Sequence, residues 1–203
     1  MKKKRILALF LAAVSCLSLA VSASAANTVN HKATDFRDYD RTAWYAEAVS
    51  AAVDNGLLYG KSSTILDPNG DMTRAEMAAI INRSFGCYAK ADISKYKDVS
   101  KDKWYFEDVA MAVQMGTYNG RSNSSMAPDA PITRQEAMTV VARALELDYD
   151  SYSKAELTQF SDAGKVSNWA MPYVRAMVGA DYIHGRGKVL APQDNITLSL
   201  IHI

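Results

Sequence analysis

The chain has 203 residues, of which 49% are hydrophobic and 22% are charged, and its formal net charge is +1. This balance is typical of a folded globular protein and excludes fibrous and strongly disordered chains. The near-zero charge also argues against binding of nucleic acid through bulk electrostatics.

Residues 1–25 have the pattern of a secretory signal peptide. Residues 2–5 are basic, residues 6–21 form an apolar run, and Ala23-Ser24-Ala25 is a small-residue cleavage pattern. We expect cleavage after Ala25, which leaves no transmembrane span. Residues 1–25 hold four of the 23 basic residues and none of the 22 acidic ones, so the mature chain has a charge of about −3. Cys87 is then its single cysteine, and no internal disulfide is expected.

A short polar lead-in, residues 26–35, is followed by an internal repeat. Residues 36–85 superpose on residues 96–145 without a gap, and a third copy starts at Phe160. The pattern predicts one repeat at residues 36–86, a second at 96–146 and an incomplete third at 160–197. The chain is therefore a tandem array, and its matched positions carry most of the information.

Each repeat is predicted to contain two helices around a glycine-rich loop. Gly56 stands where a left-handed residue ends the first helix. Thr73 and Glu76 form a capping box at the start of the second helix, and Met72 and Met77 stand at the two hydrophobic-staple positions. Helices this short are marginal alone, so the copies should bury their apolar faces against one another. We predict one all-α unit of packed helix-loop-helix repeats.

The third copy departs from the pattern after Thr197. Residues 198–203 read LSLIHI, without the Arg and Glu that the other copies have at this point. The same six residues are the translation of the transposase-adapter sequence CTGTCTCTTATACACATC. We therefore interpret residues 198–203 as an artefactual tail joined to a truncated gene.

The repeat resembles the S-layer homology domain. The resemblance rests on an aromatic-x-Asp start, a Trp-Tyr pair, a glycine-rich loop, and the segments Met72-Thr73-Arg74-Ala75-Glu76 and Ile132-Thr133-Arg134-Gln135-Glu136. It implies a pseudo-threefold arrangement of the repeats that binds secondary cell-wall polysaccharide, often pyruvylated, or modified peptidoglycan in grooves between them. It also implies secretion to the cell wall or S-layer surface, with other surface-layer proteins as further partners.

The candidate ligand-binding residues come from the matched positions, and each has a structural alternative. An Arg in the first turn of a helix can pair with a carboxylate, or it can be a solvated surface charge. A repeated Trp can lie against a sugar face, although core packing is the more common role. The resemblance implies that the Asp of each repeat orients the Arg or accepts hydrogen bonds from sugar hydroxyl groups. Gly permits either close approach of a ligand or a tight turn. The candidates are Arg74, Arg134, Trp44, Trp104, Trp169, Asp38, Asp98, Asp162, Gly60, Gly120 and Gly185. Glu76 and Glu136 are interpreted as helix caps.

Other functions fit the residues less well. No catalytic motif or paired histidine appears, so we expect no enzyme and no cofactor in this segment. Asp67, Asn69 and Asp71 alternate as in a calcium loop, but Met72 replaces the required Gly and Ala78 replaces the bidentate Glu, so no metal site is expected. The sequence predicts an anchor to cell-wall polysaccharide. The alternatives are a protein–protein assembly module of the surface layer and the anchor of an enzyme whose catalytic domain is missing here.

Overall fold

The computed structural model describes residues 32–201, and within them all regular structure is helical. The signal peptide, residues 26–31 of the lead-in and residues 202–203 lie outside the described residues. Five α helices are present in residues 32–201: α1 (Ala46–Asp54), α2 (Arg74–Phe85), α3 (Phe106–Gln114), α4 (Arg134–Ala144) and α5 (Met171–Gly179). Three short 3-10 turns accompany them, at Ala33–Asp35, Ala163–Lys165 and Leu198–Ile201. The all-α prediction is confirmed.

The second helix of each complete repeat begins at the predicted capping box. The Thr73 hydroxyl accepts a hydrogen bond from the Glu76 N–H at 3.2 Å, and the Glu76 carboxylate accepts one from the Thr73 N–H at 2.8 Å. Thr133 and Glu136 repeat both bonds at 3.4 Å and 2.9 Å. Met72, just before the cap, is buried, so the cap is anchored to the core as a hydrophobic staple requires.

Helices of neighbouring repeats pack against one another. α2 of the first repeat packs against α3 of the second, and α4 of the second packs against α5 of the third. This confirms that neighbouring copies bury one another's apolar faces. At matched positions, Ala112 in α3 and Met177 in α5 are fully buried, whereas Ala52 in α1 is partly exposed. A groove of about 280 Å³ runs along α1, where Leu198 supplies one wall.

Three residues at matched positions close the repeats into a ring. The Met72 N–H donates to the Ile196 carbonyl at 2.9 Å, the Ile196 N–H donates to the Ile132 carbonyl at 3.0 Å, and the Ile132 N–H donates to the Met72 carbonyl at 2.9 Å. All three side chains are buried, with 1%, 3% and 0% of their surface exposed for Met72, Ile196 and Ile132. A cyclic set of equivalent bonds is the signature of a threefold axis.

A second set of backbone bonds surrounds this axis. The Ala75 N–H donates to the Pro128 carbonyl, the Gln135 N–H to the Pro192 carbonyl, and the Ser199 N–H to the Pro68 carbonyl, at 2.9, 3.0 and 2.8 Å. The start of each second helix therefore rests on the loop of the next repeat, and the third repeat returns to the first. The pseudo-threefold arrangement is present although the third repeat has only a 3-10 turn at this position.

Residues 32–35, at the end of the lead-in, also belong to the packed unit. Ala33 is 1% exposed and contacts the core of the first two repeats. Between residues 32 and 201, no helix combines the length and the apolar character that crossing a bilayer requires.

Because Ile132 and Ile196 occupy equivalent places in the ring, we predict that they contribute equally to stability. Replacing either residue by Ala leaves a cavity at the axis and should lower the free energy of unfolding by about 2–4 kcal/mol, measured by urea denaturation. Ile65, which is 39% exposed, is the matched control, and I65A should change stability little. If I196A is as stable as the parent, the third repeat does not close the ring.

Candidate ligand-binding grooves between repeats

Two open grooves lie at matched places in the ring. The first groove has a volume of about 480 Å³ and is lined by Gly60, Lys61, Glu76, Arg83, Trp104 and Leu198. The middle groove has a volume of about 510 Å³ and is lined by Gly120, Arg121, Glu136, Arg143, Trp169 and Arg74. Each position in the first set corresponds to one in the second, so all three repeats contribute to each groove. In the first groove, Trp104 comes from the second repeat and Leu198 from the third. In the middle groove, Trp169 comes from the third repeat and Arg74 from the first.

The three tryptophans are on the surface. Trp44, Trp104 and Trp169 are 65%, 59% and 52% exposed. The expectation that a repeated Trp packs in the core is therefore wrong. The neighbouring Tyr45 and Tyr105 occupy the core instead, because each stands at the N-cap with its side chain turned inward while the Trp precedes the helix. Trp104 and Trp169 form walls of the two grooves.

Arg74 is buried at the floor of the middle groove. It is 5% exposed, its Nε donates to the Met126 carbonyl at 3.0 Å, and its Nη1 pairs with Glu136 at 3.0 Å. Its guanidinium also lies 5.0 Å from the ring centroid of Tyr118. The alternative of a solvated surface charge is wrong for Arg74, which joins the first repeat to the second.

The charge of Glu136 is held by several donors. Burial alone would raise the pKa of Glu136, but hydrogen bonds from Arg121 and from the Thr133 N–H, together with the charge of Arg74, hold that pKa below its ordinary value. Arg121 reaches Glu136 from the groove side at 3.1 Å and is 41% exposed. The carboxylate therefore stays ionised between a buried arginine and an exposed one.

Arg134 repeats only part of this arrangement. Its Nε donates to the Leu190 carbonyl at 2.8 Å, as Arg74 does to the matched Met126 carbonyl. Leu200 stands in the third copy where Glu136 stands in the second, so Arg134 gains no equivalent carboxylate. Burial, and then the nearby charge of Arg186, lower the pKa of the Arg134 guanidinium.

The three aspartates hold the loop of their own repeat. The Asp38 carboxylate accepts hydrogen bonds from the Leu66 and Asp67 N–H groups at 2.9 and 2.7 Å. Asp98 binds the Met126 and Ala127 N–H groups, and Asp162 binds the Leu190 and Ala191 N–H groups, in the same way. The second residue of each pair has a positive φ, of 58°, 52° and 50° for Asp67, Ala127 and Ala191, a conformation that costs free energy in a non-glycine residue. Each carboxylate therefore stabilises a strained loop residue.

Aspartate and arginine meet at one residue of the loop. Asp98 accepts the Met126 N–H while Arg74 of the preceding repeat donates to the Met126 carbonyl. Asp162 and Arg134 flank Leu190 in the same way. These loops thus tie one repeat to the next.

The glycines are required by their backbone and their packing. Gly60, Gly120 and Gly185 have φ values of 76°, 80° and 72°. A Cβ on Gly60 would come within 2.5 Å of the Phe36 ring, and a Cβ on Gly185 within 2.5 Å of the Phe160 ring. This geometry supports the tight-turn interpretation, with the first aromatic residue of each repeat packed beneath the glycine.

Sequence reasoning missed two pairs of basic residues. Lys61 and Arg121 pair with Glu76 and Glu136, and Arg83 and Arg143 lie on the adjoining helices. All four match at the offset of 60 residues, so the repeat alignment contained the signal. The middle groove contains three arginines and one carboxylate, whereas the first groove contains Lys61 and Arg83 against Glu76, with Leu198 in place of Arg74. Among the described residues, no cluster of three or more His, Cys, Asp or Glu is arranged to hold a metal ion.

Known proteins are similar to this chain. The family profile of the S-layer homology domain matches residues 35–78, 95–138 and 159–198. The surface-layer 125 kDa protein of Lysinibacillus sphaericus is 32% identical over 75% of this chain and 13% of its own length. An endoglucanase of Bacillus sp. strain KSM-635 is 26% identical over 90% of this chain and 19% of its own length. The cellulosome-anchoring protein of Acetivibrio thermocellus is 27% identical over 64% of this chain and 30% of its own length. The chain thus spans less than a third of each of these relatives.

The two arginines should differ in their effect on stability. Arg74→Ala removes the buried partner of Glu136 and leaves the Met126 carbonyl unpaired, so it should lower the free energy of unfolding by about 2–4 kcal/mol. Arg134→Ala removes one hydrogen bond and should cost about 1 kcal/mol. Urea denaturation followed by circular dichroism measures both values, and equal losses would contradict the asymmetry.

The aspartates should make stability fall in acid. Burial acts to raise the pKa of Asp98, but hydrogen bonds from Met126, Ser125 and Ala127 outweigh it, and the pKa lies below the ordinary value of 3.8; the pKa of Asp38 and of Asp162 is lowered in the same way. A lowered folded-state pKa gives stability that is present above the unfolded-state value and is lost as the pH falls through the folded-state value. The free energy of unfolding should therefore be level from about pH 7 to 5 and fall below about pH 4.

A variant isolates the contribution of Asp98. Asp98→Asn should be about 1–2 kcal/mol less stable at neutral pH, because the amide is a weaker acceptor for the loop N–H groups. It should also lose less stability than the parent on acidification. Asp54→Asn, at the exposed end of α1, is the control and should follow the parent curve. Parallel curves for D98N and the parent would show that the hydrogen bonds of Asp98 do not contribute to the loss of stability in acid.

Proposed function

The chain belongs to the S-layer homology family. We propose that it anchors a secreted surface protein non-covalently by binding cell-wall polysaccharide in the grooves between its repeats. Family membership and surface-protein relatives place the chain at the cell surface. The observation that carries the proposal is the middle groove, where an exposed Trp169 faces three arginines. We propose this groove as the principal site and the first groove as a weaker one.

The chemistry of the middle groove suits an acidic sugar. The face of an indole ring packs against the apolar face of a hexose, and a guanidinium pairs with a carboxylate such as that of a pyruvate ketal. Arg121 is the arginine placed to make that pair, because its side chain is 41% exposed whereas Arg74 is buried. The Nε and Nη2 atoms of Arg121 donate to Glu136, so a ligand carboxylate would approach its Nη1 atom. Arg74 then contributes positive charge from below the ligand.

The remaining candidate residues shape the site in this proposal. Asp98 and Asp162 fix the loops of the second and third repeats, and Gly120 lets the loop turn beside Arg121. Replacement of Asp98 or Gly120 would weaken binding through the position of Arg121. In the first repeat, Asp38 and Gly60 shape the loop in the same way. In the third repeat, Gly185 lets the loop turn and Arg134 holds it from the second repeat.

The names of some relatives are those of enzymes. The endoglucanase contains a segment similar to this chain in only 19% of its length. We propose that the repeats supply attachment in such proteins and that catalysis belongs to the remainder. In the same way, the identity of any cargo of the present chain depends on sequence beyond these repeats.

Removal of one indole tests the proposal. Trp169→Ala should weaken binding of the purified protein to isolated cell-wall sacculi about tenfold in a sedimentation assay, because a stacked aromatic contributes about 1–1.5 kcal/mol. Trp44→Ala is the matched control, since Trp44 occupies the same position in its repeat but lines neither groove, and it should bind like the parent. Both tryptophans are exposed, so neither variant should change the circular dichroism spectrum.

The sacculi also distinguish the ligand. Chemical removal of the secondary polysaccharide should abolish binding by the parent protein. Undiminished binding to the stripped peptidoglycan would contradict the polysaccharide proposal. Binding only to sacculi that retain surface-layer protein would favour a protein–protein assembly module instead.

A further inference from the structure

A side pocket of about 570 Å³ lies beside the middle groove. It is lined by the second linker between repeats and by α5, and its walls include Asn119, Arg143, Leu147, Tyr149 and Tyr173. The rings of Tyr149 and Tyr173 meet at 65° with their centroids 5.2 Å apart. Tyr149 is 43% exposed. The pocket thus presents an aromatic surface to solvent.

The side pocket adjoins the middle groove. Asn119 and Arg143 line both cavities. The Arg143 guanidinium lies 4.7 Å from the ring centroid of Tyr173 and donates to the Tyr173 hydroxyl at 3.1 Å. Arg143 therefore forms the boundary between the cavities, and a chain of sugars leaving the middle groove over this boundary would reach Tyr149.

The residues beside the first groove differ from those that form the side pocket. The matched Arg83 stacks on Tyr59 of its own repeat, 4.3 Å from the ring centroid. Asp108 occupies the position of Tyr173 and accepts a hydrogen bond from Asn82. The first linker, residues 86–95, is also four residues shorter than the second, residues 146–159. The side pocket is thus a feature of the second interface.

The charges of the two cavities differ in sign. The middle groove has an excess of arginine, whereas Glu146, Asp148 and Asp150 line the side pocket together with the single Arg143. Carboxylates repel an anionic sugar but accept hydrogen bonds from the hydroxyl groups of a neutral one. The tyrosine rings supply the apolar face against which a neutral hexose packs.

We propose that the side pocket is a second carbohydrate subsite, which holds a neutral sugar adjacent to the acidic sugar in the middle groove. The inference rests on the proposed function, because the same polysaccharide occupies both cavities. It adds that the second interface binds at least two consecutive sugars and that Tyr149 provides specificity for the neutral one.

The test uses wall polysaccharide released from sacculi by hydrofluoric acid and separated by length. Isothermal titration of the whole protein should show that fragments of several sugars bind about fivefold more tightly than the shortest acidic fragment. Tyr149→Ala should remove that gain and leave the affinity for the shortest fragment unchanged. Tyr149→Phe keeps the ring and should bind like the parent. Tyr88→Ala is the matched control, because Tyr88 is 86% exposed in the first linker.

The outcomes separate the two proposals. If the parent binds the polysaccharide but its affinity is independent of fragment length, the second subsite is overturned while the anchoring function stands. Equal losses by Y149A for short and long fragments overturn the subsite as well. Absence of binding to any fragment by the parent overturns both proposals. The length dependence of the parent decides the question even if Y149A does not fold.

Discussion

The ring of backbone hydrogen bonds among Met72, Ile132 and Ile196 is the constraint on which the rest of the structure depends. Each residue stands directly before the threonine that begins a second helix or its remnant, so closure of the ring fixes three helix starts about one axis. Buried N–H and carbonyl groups must find partners, and here each repeat supplies the partner for another. The fold is therefore a closed assembly rather than a row of independent units.

Closure of the ring determines what the grooves contain. The side chain that follows each capping threonine enters the loop of the next repeat. In the middle groove that side chain is Arg74, which meets Glu136; at the next interface it is Arg134, which meets no matching carboxylate; at the first groove it is Leu198. One backbone arrangement thus gives three interfaces of different chemistry. The middle groove has more positive charge than the first groove, and the side pocket adjoins the same interface.

Much of the fold was predictable because it depends on local sequence. The repeat, the capping box of Thr73 and Glu76, and the left-handed Gly56 are all encoded within a few residues, and the structure confirms them. The ring of Met72, Ile132 and Ile196 joins residues that are 60 or more positions apart, and no local pattern indicates it. That residues 198–203 are an artefactual tail stays a prediction. Residues 198–201 form a 3-10 turn, and the Ser199 N–H donates to the Pro68 carbonyl of the first repeat.

The site was predicted less completely than the fold. Core packing is the more common role of a repeated Trp, but Trp44 and Trp104 precede their helices and are not on the buried helical face. The aspartates were expected near a ligand, whereas their carboxylates bind loop amides that only the folded chain brings near. Arg121 matches Lys61 at the offset of 60 residues, but it was overlooked because a loop position alone does not distinguish a paired charge from a solvated one.

We propose that the wall polysaccharide binds between repeats at the middle groove. This binding can be tested by titrating the isotopically labelled protein with a released polysaccharide fragment and recording nuclear magnetic resonance spectra. The largest shifts should occur at the Trp169 indole N–H, the Arg121 side chain and the backbone amides of residues 117–121. Shifts confined to another surface, such as the first linker at residues 86–95, would contradict it.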